Sequence, residues 1–121
     1  MARILVIEDE ANIRSNLLRF VRLEGHDALE ASDGDTGLQA AKDHLPDLIF
    51  CDVMMPRMSG MEVLAALRND PSLKQVPLVF LSASAESERL EEALRLGASA
   101  YVTKPFNFAQ LQAVLKQYLP K

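Results

Sequence analysis

Residues 48–56 read LIFCDVMMP, so four apolar residues lead directly into the carboxylate of Asp52, and a proline follows at position 56. A continuous apolar run of this length is typical of a strand that is buried on both faces of a parallel sheet. Asp52 is therefore predicted at the carboxyl end of that strand. In open α/β sheets, the carboxyl ends of the strands form the edge at which ligands bind.

Four further segments have strand character, and helical patterns separate them. Residues 4–7 and 78–81 are fully apolar, whereas residues 27–31 and 98–102 mix apolar and polar side chains. Five alternating strand–helix units predict an α/β protein with a doubly wound, five-stranded parallel sheet. The fully apolar strands belong at the centre and the mixed strands at the edges. Right-handed crossovers then favour the strand order 2-1-3-4-5.

Glycines and apolar spacing mark the helices between these strands. Gly25 and Gly97 are predicted to end the first and fourth helices, because glycine readily adopts the left-handed conformation that closes a helix. Leu38, Ala41 and Leu45 have helical spacing and are predicted to form the buried stripe of the second helix.

Two helix starts carry the sequence of a capping box, in which two side chains three residues apart each satisfy a free backbone amide. Ser59 and Glu62 predict such a box at the start of the third helix. Asn107 and Gln110 predict another at the start of the fifth helix.

The composition is that of an ordinary globular domain, and residues 1–121 are expected to form a single one. The chain is 49% hydrophobic and 25% charged, with a formal net charge of −4 and interspersed signs. This balance argues against nucleic-acid binding by the domain itself, because such binding needs a basic surface. The sequence shows no membrane span and no signal peptide, and its single cysteine cannot form an internal disulfide. The expected location is the cytoplasm.

The predicted topology brings polar side chains from four strands to one edge of the sheet. They are Glu8 and Asp9 after strand one, Asp52 at strand three, Ser82 at strand four and Lys104 after strand five. Clustered carboxylates repel one another, and a hard divalent cation resolves that repulsion. The expected ion is Mg²⁺, with Mn²⁺ as the alternative.

Oxygen ligands for Mg²⁺ would come from Asp9, Asp52 and the main-chain carbonyl of Met54, with Glu8 acting directly or through water. Asp9 alone could be a helix cap, but its acidic neighbour and the crevice favour a functional role. An ammonium at Lys104 and a hydroxyl at the fourth strand add groups that bind anions. Together these groups describe a site for transferring a phosphoryl group onto a carboxylate.

The chain resembles a response-regulator receiver domain along its full length. The motifs that carry the resemblance are Glu8-Asp9, the D-x-x-M-P beginning at Asp52 with Gly60 beyond it, Ser82-Ala83 and Lys104-Pro105. The resemblance implies a flavodoxin-like (βα)5 fold. Since the strand order 2-1-3-4-5 is also the family's order, it does not count as independent evidence for the family.

The resemblance implies a bacterial two-component signalling protein in which Asp52 accepts a phosphoryl group. The donor would be a phosphohistidine on a histidine kinase or on a histidine phosphotransfer protein. Glu8 and Asp9 would hold Mg²⁺ together with Asp52, while Ser82 and Lys104 would bind the phosphoryl oxygens. The chain would be a switch rather than an enzyme, limited to its own phosphorylation and dephosphorylation.

The resemblance also implies how a signal would leave the site. Tyr101 matches the family's switch aromatic, which turns inward when Ser82 follows the phosphoryl group. The face built by helix four, strand five and helix five would then control a downstream partner or output domain, or a phosphorylation-dependent dimer. The Lys104–Pro105 peptide is expected to be cis. Ser82 replaces a commoner threonine, and the positions of Met54 and Ser84 tune phosphoryl lifetime in the family.

Other functions share parts of this pattern. A Mg²⁺-dependent phosphatase or phosphotransferase with an aspartate nucleophile usually adds a second acid nearby and a substrate-covering cap. This chain has Met54 at the nearby position, and no insertion in it is long enough for a cap. A pseudo-receiver would serve only as an interaction module, and the intact acidic pair, Asp52, Ser82 and Lys104 count against it. A flavin-binding module needs a phosphate-cradling loop after strand one, where the acidic pair would repel phosphate.

Overall fold

The structure, a computed structural model, describes residues 2–83 and 87–119, with no side-chain detail for residues 87–90. The strands are β1 (Arg3–Ile7), β2 (Asp27–Ala31), β3 (Leu48–Asp52), β4 (Leu78–Ser82) and β5 (Ala100–Thr103). The helices are α1 (Ala11–Leu23), α2 (Gly34–His44), α3 (Gly60–Arg68), α4 (Ser87–Arg95) and α5 (Phe108–Tyr118).

The five strands form one parallel sheet in the order β2-β1-β3-β4-β5, which confirms the predicted fold class. In the register of the sheet, Ile7 lies beside Cys51, and Asp52 lies beside Leu81. Ser82, at the end of β4, lies beside Thr103 at the end of β5. The carboxyl ends of the strands therefore meet at a common edge of the sheet, which is the edge predicted to carry the site.

Buried side chains cover both faces of the sheet, because successive residues of a strand point to opposite sides. Ile4 and Val6 pack with α1 and α5, whereas Leu5 and Ile7 pack with α2, α3 and α4. Every residue of β3 is buried. A central strand buried on both faces explains why residues 48–51 contain no polar side chain.

The start of the fifth strand and the end of α2 differ from the sequence prediction for reasons that the structure shows. The fifth strand begins at Ala100 rather than at Ala98, because the Ala98 amide donates to the Ala93 carbonyl and so belongs to the end of α4. Leu45 was expected in the buried stripe of α2, but it is 55% exposed and ends the helix with a left-handed φ of 47°. Gly25 and Gly97 have positive φ values of 86° and 111°, which confirms both as helix stops.

The two predicted capping boxes have different outcomes. Asn107 and Gln110 form a complete box, in which each side chain accepts from the other residue's backbone amide at 2.9 Å. At Ser59, only half of the box forms: the hydroxyl accepts from the Glu62 amide at 3.3 Å. The Glu62 carboxylate meets the Ser59 hydroxyl instead of its backbone amide.

The position of Ser84, which the resemblance assigns to phosphoryl lifetime, lies outside the described residues. Within the described residues, none of the helices combines the length and apolar character that crossing a bilayer requires. The Lys104–Pro105 peptide is cis, as the resemblance implied.

Candidate functional site

Three carboxylates meet at the carboxyl edge of the sheet. Asp52 is the last residue of β3, and Glu8 follows β1 directly, with its amide extending the pairing to β2 through the Ala31 carbonyl at 3.1 Å. One carboxylate oxygen each from Glu8, Asp9 and Asp52 lies within 4.8 Å of the other two. Glu8 and Asp52 are buried, whereas Asp9 is exposed. The sheet thus forms the predicted acidic cluster.

Lys104 places its ammonium between the two buried carboxylates. Its Nζ lies 2.9 Å from Glu8 Oε1 and 3.0 Å from Asp52 Oδ2. The Lys104 amide also donates to the Ser82 carbonyl at 2.7 Å, so the loop after β5 is tied to the end of β4. Lys104 therefore bridges the ends of β1 and β3 through its side chain and is anchored to β4 through its backbone.

Glu8 is the carboxylate of the site whose ionised form is most disfavoured by its surroundings. Its Oε2 accepts from the Glu10 amide at 3.1 Å, but its buried Oε1 has no hydrogen bond within the described residues beyond the ion pair with Lys104. Burial, together with the neighbouring Asp52 carboxylate, raises the pKa of Glu8 to about 7, although Lys104 acts in the opposite direction. Burial thus disfavours the ionised form of Glu8 more strongly than Lys104 favours it.

The pKa of Lys104 reflects the same environment. Burial of its ammonium acts to lower the pKa, but the hydrogen bonds and charges of Glu8 and Asp52 outweigh that effect. The net result is a pKa above the usual lysine value, so Lys104 stays charged at neutral pH. Three carboxylates against one ammonium leave an excess of negative charge at the edge of the sheet.

Asp52 is held in place from both sides. Its Oδ1 accepts from the Met54 amide at 3.2 Å, while its Oδ2 faces Lys104. Behind it, the Gly60 amide donates to the Val53 carbonyl at 2.9 Å. A Cβ at Gly60 would collide with the Asp52 carbonyl oxygen and lie 2.9 Å from the Val53 Cα. The glycine of the motif is thus required for α3 to start against the end of β3.

The other predicted residues differ in their exposure and in their position relative to this cluster. Ser82 is half-buried at the end of β4, and the Met54 side chain is 63% exposed at the mouth of the site. Tyr101 is 42% exposed on the edge strand β5, apart from the carboxylates. Asp9 is not the helix cap, since that position belongs to Glu10, whose side chain makes no capping bond.

Cys51 is fully buried next to Asp52. Burial, followed by the charges of Asp52 and Glu8, raises the pKa of its thiol, so the sulfur remains protonated. A protonated buried thiol is a packing group rather than a nucleophile.

Sequence reasoning missed one residue that touches the site. Arg14, in the first turn of α1, donates from Nη1 to the Glu8 carbonyl at 2.8 Å. Its Nε lies 3.3 Å from Glu30 Oε1 on β2. The available signal was a cation in the first turn of a helix, where the helix dipole disfavours positive charge.

The residues present fit a hard divalent cation. The donor set consists of carboxylate oxygens, which Mg²⁺ prefers over nitrogen or sulfur ligands. The buried Glu8 Oε1 has no partner within the described residues besides the Lys104 ammonium, and added positive charge would stabilise both this oxygen and the excess negative charge. Glu8, Asp9 and Asp52 could therefore hold the ion.

A strand-end aspartate, an acidic pair and a bridging lysine on a 2-1-3-4-5 sheet define a receiver-type signalling domain. The chain belongs to the family of response regulator receiver domains, whose sequence model matches residues 4–116. The structure is also similar to chemotaxis protein CheY4 of Vibrio cholerae, with a TM-score of 0.93 and 31% identity over 98% of this chain and 99% of that one.

Curated relatives include the phosphate regulon transcriptional regulatory protein PhoB of Escherichia coli. It is 35% identical over 98% of this chain and 53% of its own length. The transcriptional regulatory protein PdtaR of Mycobacterium tuberculosis is 38% identical over 90% of this chain and 52% of its own length. The chain thus spans about half the length of these curated relatives.

The raised pKa of Glu8 predicts an unusual pH dependence of stability in metal-free protein. Between the ordinary pKa of 4.5 and about 7, the folded state holds a proton that the unfolded state has lost. The free energy of unfolding should therefore fall as pH rises through this window, by on the order of 2–3 kcal/mol. The free energy of unfolding can be measured by urea unfolding from pH 4.5 to 8 with a chelator present.

Glu8→Gln should remove this fall, because glutamine does not titrate. The exposed Glu10→Gln should keep it, which makes Glu10→Gln the matched control for charge. An identical pH slope in wild type and Glu8→Gln would contradict the assignment.

Proposed function

We propose that this domain is a phosphorylation-controlled switch in which Asp52 is the phosphoacceptor. The donor is a phosphohistidine on a histidine kinase or on a histidine phosphotransfer protein. The observation that carries the proposal is the position of Asp52: it ends the central strand, within 4.8 Å of two further carboxylate oxygens and 3.0 Å from the Lys104 ammonium. Ionisable groups gathered around one residue in this way are typical of functional sites.

The transfer is a substitution at phosphorus. A carboxylate oxygen of Asp52 forms a bond to the phosphorus atom while the phosphorus–nitrogen bond of the phosphohistidine breaks. The electron pair of that bond returns to the imidazole ring. Phosphoryl transfer of this kind depends mainly on positioning and charge neutralisation, which are what the residues around Asp52 provide.

Glu8, Asp9 and Asp52, together with the Met54 carbonyl, would hold Mg²⁺, with Mn²⁺ as the alternative. When bound, the ion neutralises charge on the phosphoryl oxygens and on the carboxylates. Lys104 supplies a further positive charge to the phosphoryl oxygens, and Ser82 supplies a hydroxyl donor. The protein catalyses only its own phosphorylation and dephosphorylation, so it acts as a switch and not as an enzyme that turns over substrate.

Ser82 and Lys104 are the residues through which phosphorylation would reach the surface. The 2.7 Å hydrogen bond between the Lys104 amide and the Ser82 carbonyl links the two, and both lie next to β5. A phosphoryl group that draws them inward would open space beside β5 for the ring of Tyr101, now 42% exposed. Phosphorylation would thereby shift a pre-existing equilibrium of the α4-β5-α5 face.

This face would control the output. Its partner would be a downstream protein, an output domain or a second copy of the domain in a phosphorylation-dependent dimer. The formal charge of −4 does not favour direct nucleic-acid binding by the domain itself. We place the protein in the bacterial cytoplasm, where histidine kinases phosphorylate their regulators.

The acceptor assignment predicts the result of a mass measurement. Incubation with Mg²⁺ and a small-molecule acyl phosphate should add one phosphoryl group to the wild type. Asp52→Asn should show no addition, because the amide is not a nucleophile, whereas Asp43→Asn on the exposed side of α2 should react like the wild type. Intact-protein mass spectrometry measures it.

Omitting Mg²⁺ should reduce the addition by at least about tenfold, since the ion offsets the charge on both reactants. Equal labelling of Asp52→Asn and the wild type would contradict the assignment.

The switch assignment predicts which residues respond to a phosphoryl mimic. With Mg²⁺ and beryllium fluoride, NMR resonances of the Tyr101 ring should shift in the wild type. In Ser82→Ala, resonances near Asp52 should still shift but those of Tyr101 should change far less, because the hydroxyl that the phosphoryl group would draw inward is missing. Ser72→Ala, in an exposed turn, is the matched control. A full Tyr101 response in Ser82→Ala would disprove this route.

A further inference from the structure

Arg14 connects the acidic pair to two neighbouring elements. From the first turn of α1, its guanidinium donates to the Glu8 main-chain carbonyl at 2.8 Å and pairs with Glu30 at 3.3 Å. The Arg14 side chain is only 19% exposed, whereas that of Glu30 is 55% exposed. The Glu8 amide is also bonded, to the Ala31 carbonyl of β2. Both polar groups of the Glu8 peptide backbone are therefore fixed.

The start of α1 differs from the other helix starts that the structure describes with a capping residue. The α2, α3 and α5 helices each begin with a side chain that accepts a backbone amide: Asp33, Ser59 and Asn107. At α1, the capping position is Glu10, and its side chain makes no such bond. The turn between β1 and α1 is held instead by the Glu8 carboxylate on the Glu10 amide and by Arg14 on the Glu8 carbonyl.

The helix dipole gives no reason for the position of Arg14 near the start of α1. A cation in the first turn faces the positive end of the helix dipole, which is unfavourable. A guanidinium presents several N–H donors in a fixed planar arrangement, so one side chain can bond the Glu8 carbonyl and Glu30 together. The position of Arg14 is explained by those two contacts.

We propose that Arg14 is a positioning residue for the metal site. It fixes the main chain at Glu8, and this holds the acidic pair Glu8-Asp9 against Asp52 in the arrangement that receives the cation. The proposal rests on the proposed function, because it assigns the ion to these carboxylates. The hydrogen bond from Arg14 to the Glu8 main chain would support the metal ligands indirectly, as outer hydrogen-bond partners do at other metal sites.

Two effects of Arg14 on Mg²⁺ binding have opposite signs. As a nearby positive charge, Arg14 repels the ion, so removing it would tighten binding. As a support for the acidic loop, it lowers the cost of ordering the ligands, so removing it would weaken binding. The direction of the change in Mg²⁺ affinity therefore distinguishes positioning from simple electrostatics.

The experiment is a calorimetric titration of the full chain with Mg²⁺, comparing the wild type with Arg14→Met and Arg22→Met. Arg22 is exposed in the last turn of the same helix, so its variant removes the same charge without touching the site. Arg14→Met should bind Mg²⁺ about tenfold more weakly, the low end for groups that orient metal ligands. Arg22→Met should match the wild type.

Amide hydrogen exchange in the metal-free proteins gives a second measurement that does not depend on the ion. The Asp9 and Glu10 amides should exchange faster in Arg14→Met than in the wild type or in Arg22→Met. Mg²⁺ binding by Arg14→Met that equals or exceeds that of the wild type would overturn the proposal. An equal loss of affinity in Arg22→Met would overturn it as well.

Failure of the proposed function gives a different result, since the wild type itself would then not bind Mg²⁺. In that case amide exchange alone decides whether Arg14 fixes the loop. Unchanged exchange rates of the Asp9 and Glu10 amides in Arg14→Met would overturn the positioning role. If Arg14→Met does not fold, Arg14→Lys replaces it. The shorter ammonium cannot hold the Glu8 carbonyl and Glu30 together, so weaker Mg²⁺ binding is expected and unchanged binding would overturn the proposal.

Discussion

The rest of the structure depends on one electrostatic constraint: carboxylates are gathered at the ends of strands where water cannot fully solvate them. Glu8 and Asp52 are both buried, and the Lys104 ammonium contacts both within 3.0 Å. Breaking such a group by removing one partner leaves an uncompensated buried charge, which is costly. Burial, followed by the neighbouring Asp52, raises the pKa of Glu8 in spite of the contact with Lys104. A cation at this edge would reduce the repulsion between the carboxylates.

The fold supplies this arrangement through the parallel sheet. Because β1 and β3 are neighbours and run in the same direction, Glu8 and Asp52 reach the same edge without any long-range loop. The same geometry places Ser82 and Thr103 side by side at the ends of β4 and β5. A change at Asp52 thus has a short route to the edge strand, since Lys104 contacts the aspartate by its side chain and the Ser82 carbonyl by its backbone.

Most of this could be predicted from the sequence because it depends on strong, local patterns. The apolar runs identified the central strands, and strand direction then brought Asp52 and Lys104 together. Local rules failed where tertiary contacts decide: Leu45 has helical spacing but ends the helix at the surface. A cation near the start of α1 was a signal for Arg14, but its contacts could not be predicted, because its partners are a main-chain carbonyl and a side chain on another strand. Contacts of that kind leave no spacing in the sequence.

The central claim is that Lys104 and the divalent cation neutralise the same two buried carboxylates, Glu8 and Asp52, and a Mg²⁺ titration of Lys104→Met tests it most directly. Removing the ammonium leaves the carboxylates without their resident positive charge. The variant should therefore bind Mg²⁺ more tightly than the wild type, by about tenfold or about 1.4 kcal/mol. Lys116→Met, which removes an exposed charge from α5, should bind as the wild type does. Unchanged or weaker Mg²⁺ binding by Lys104→Met would contradict the account.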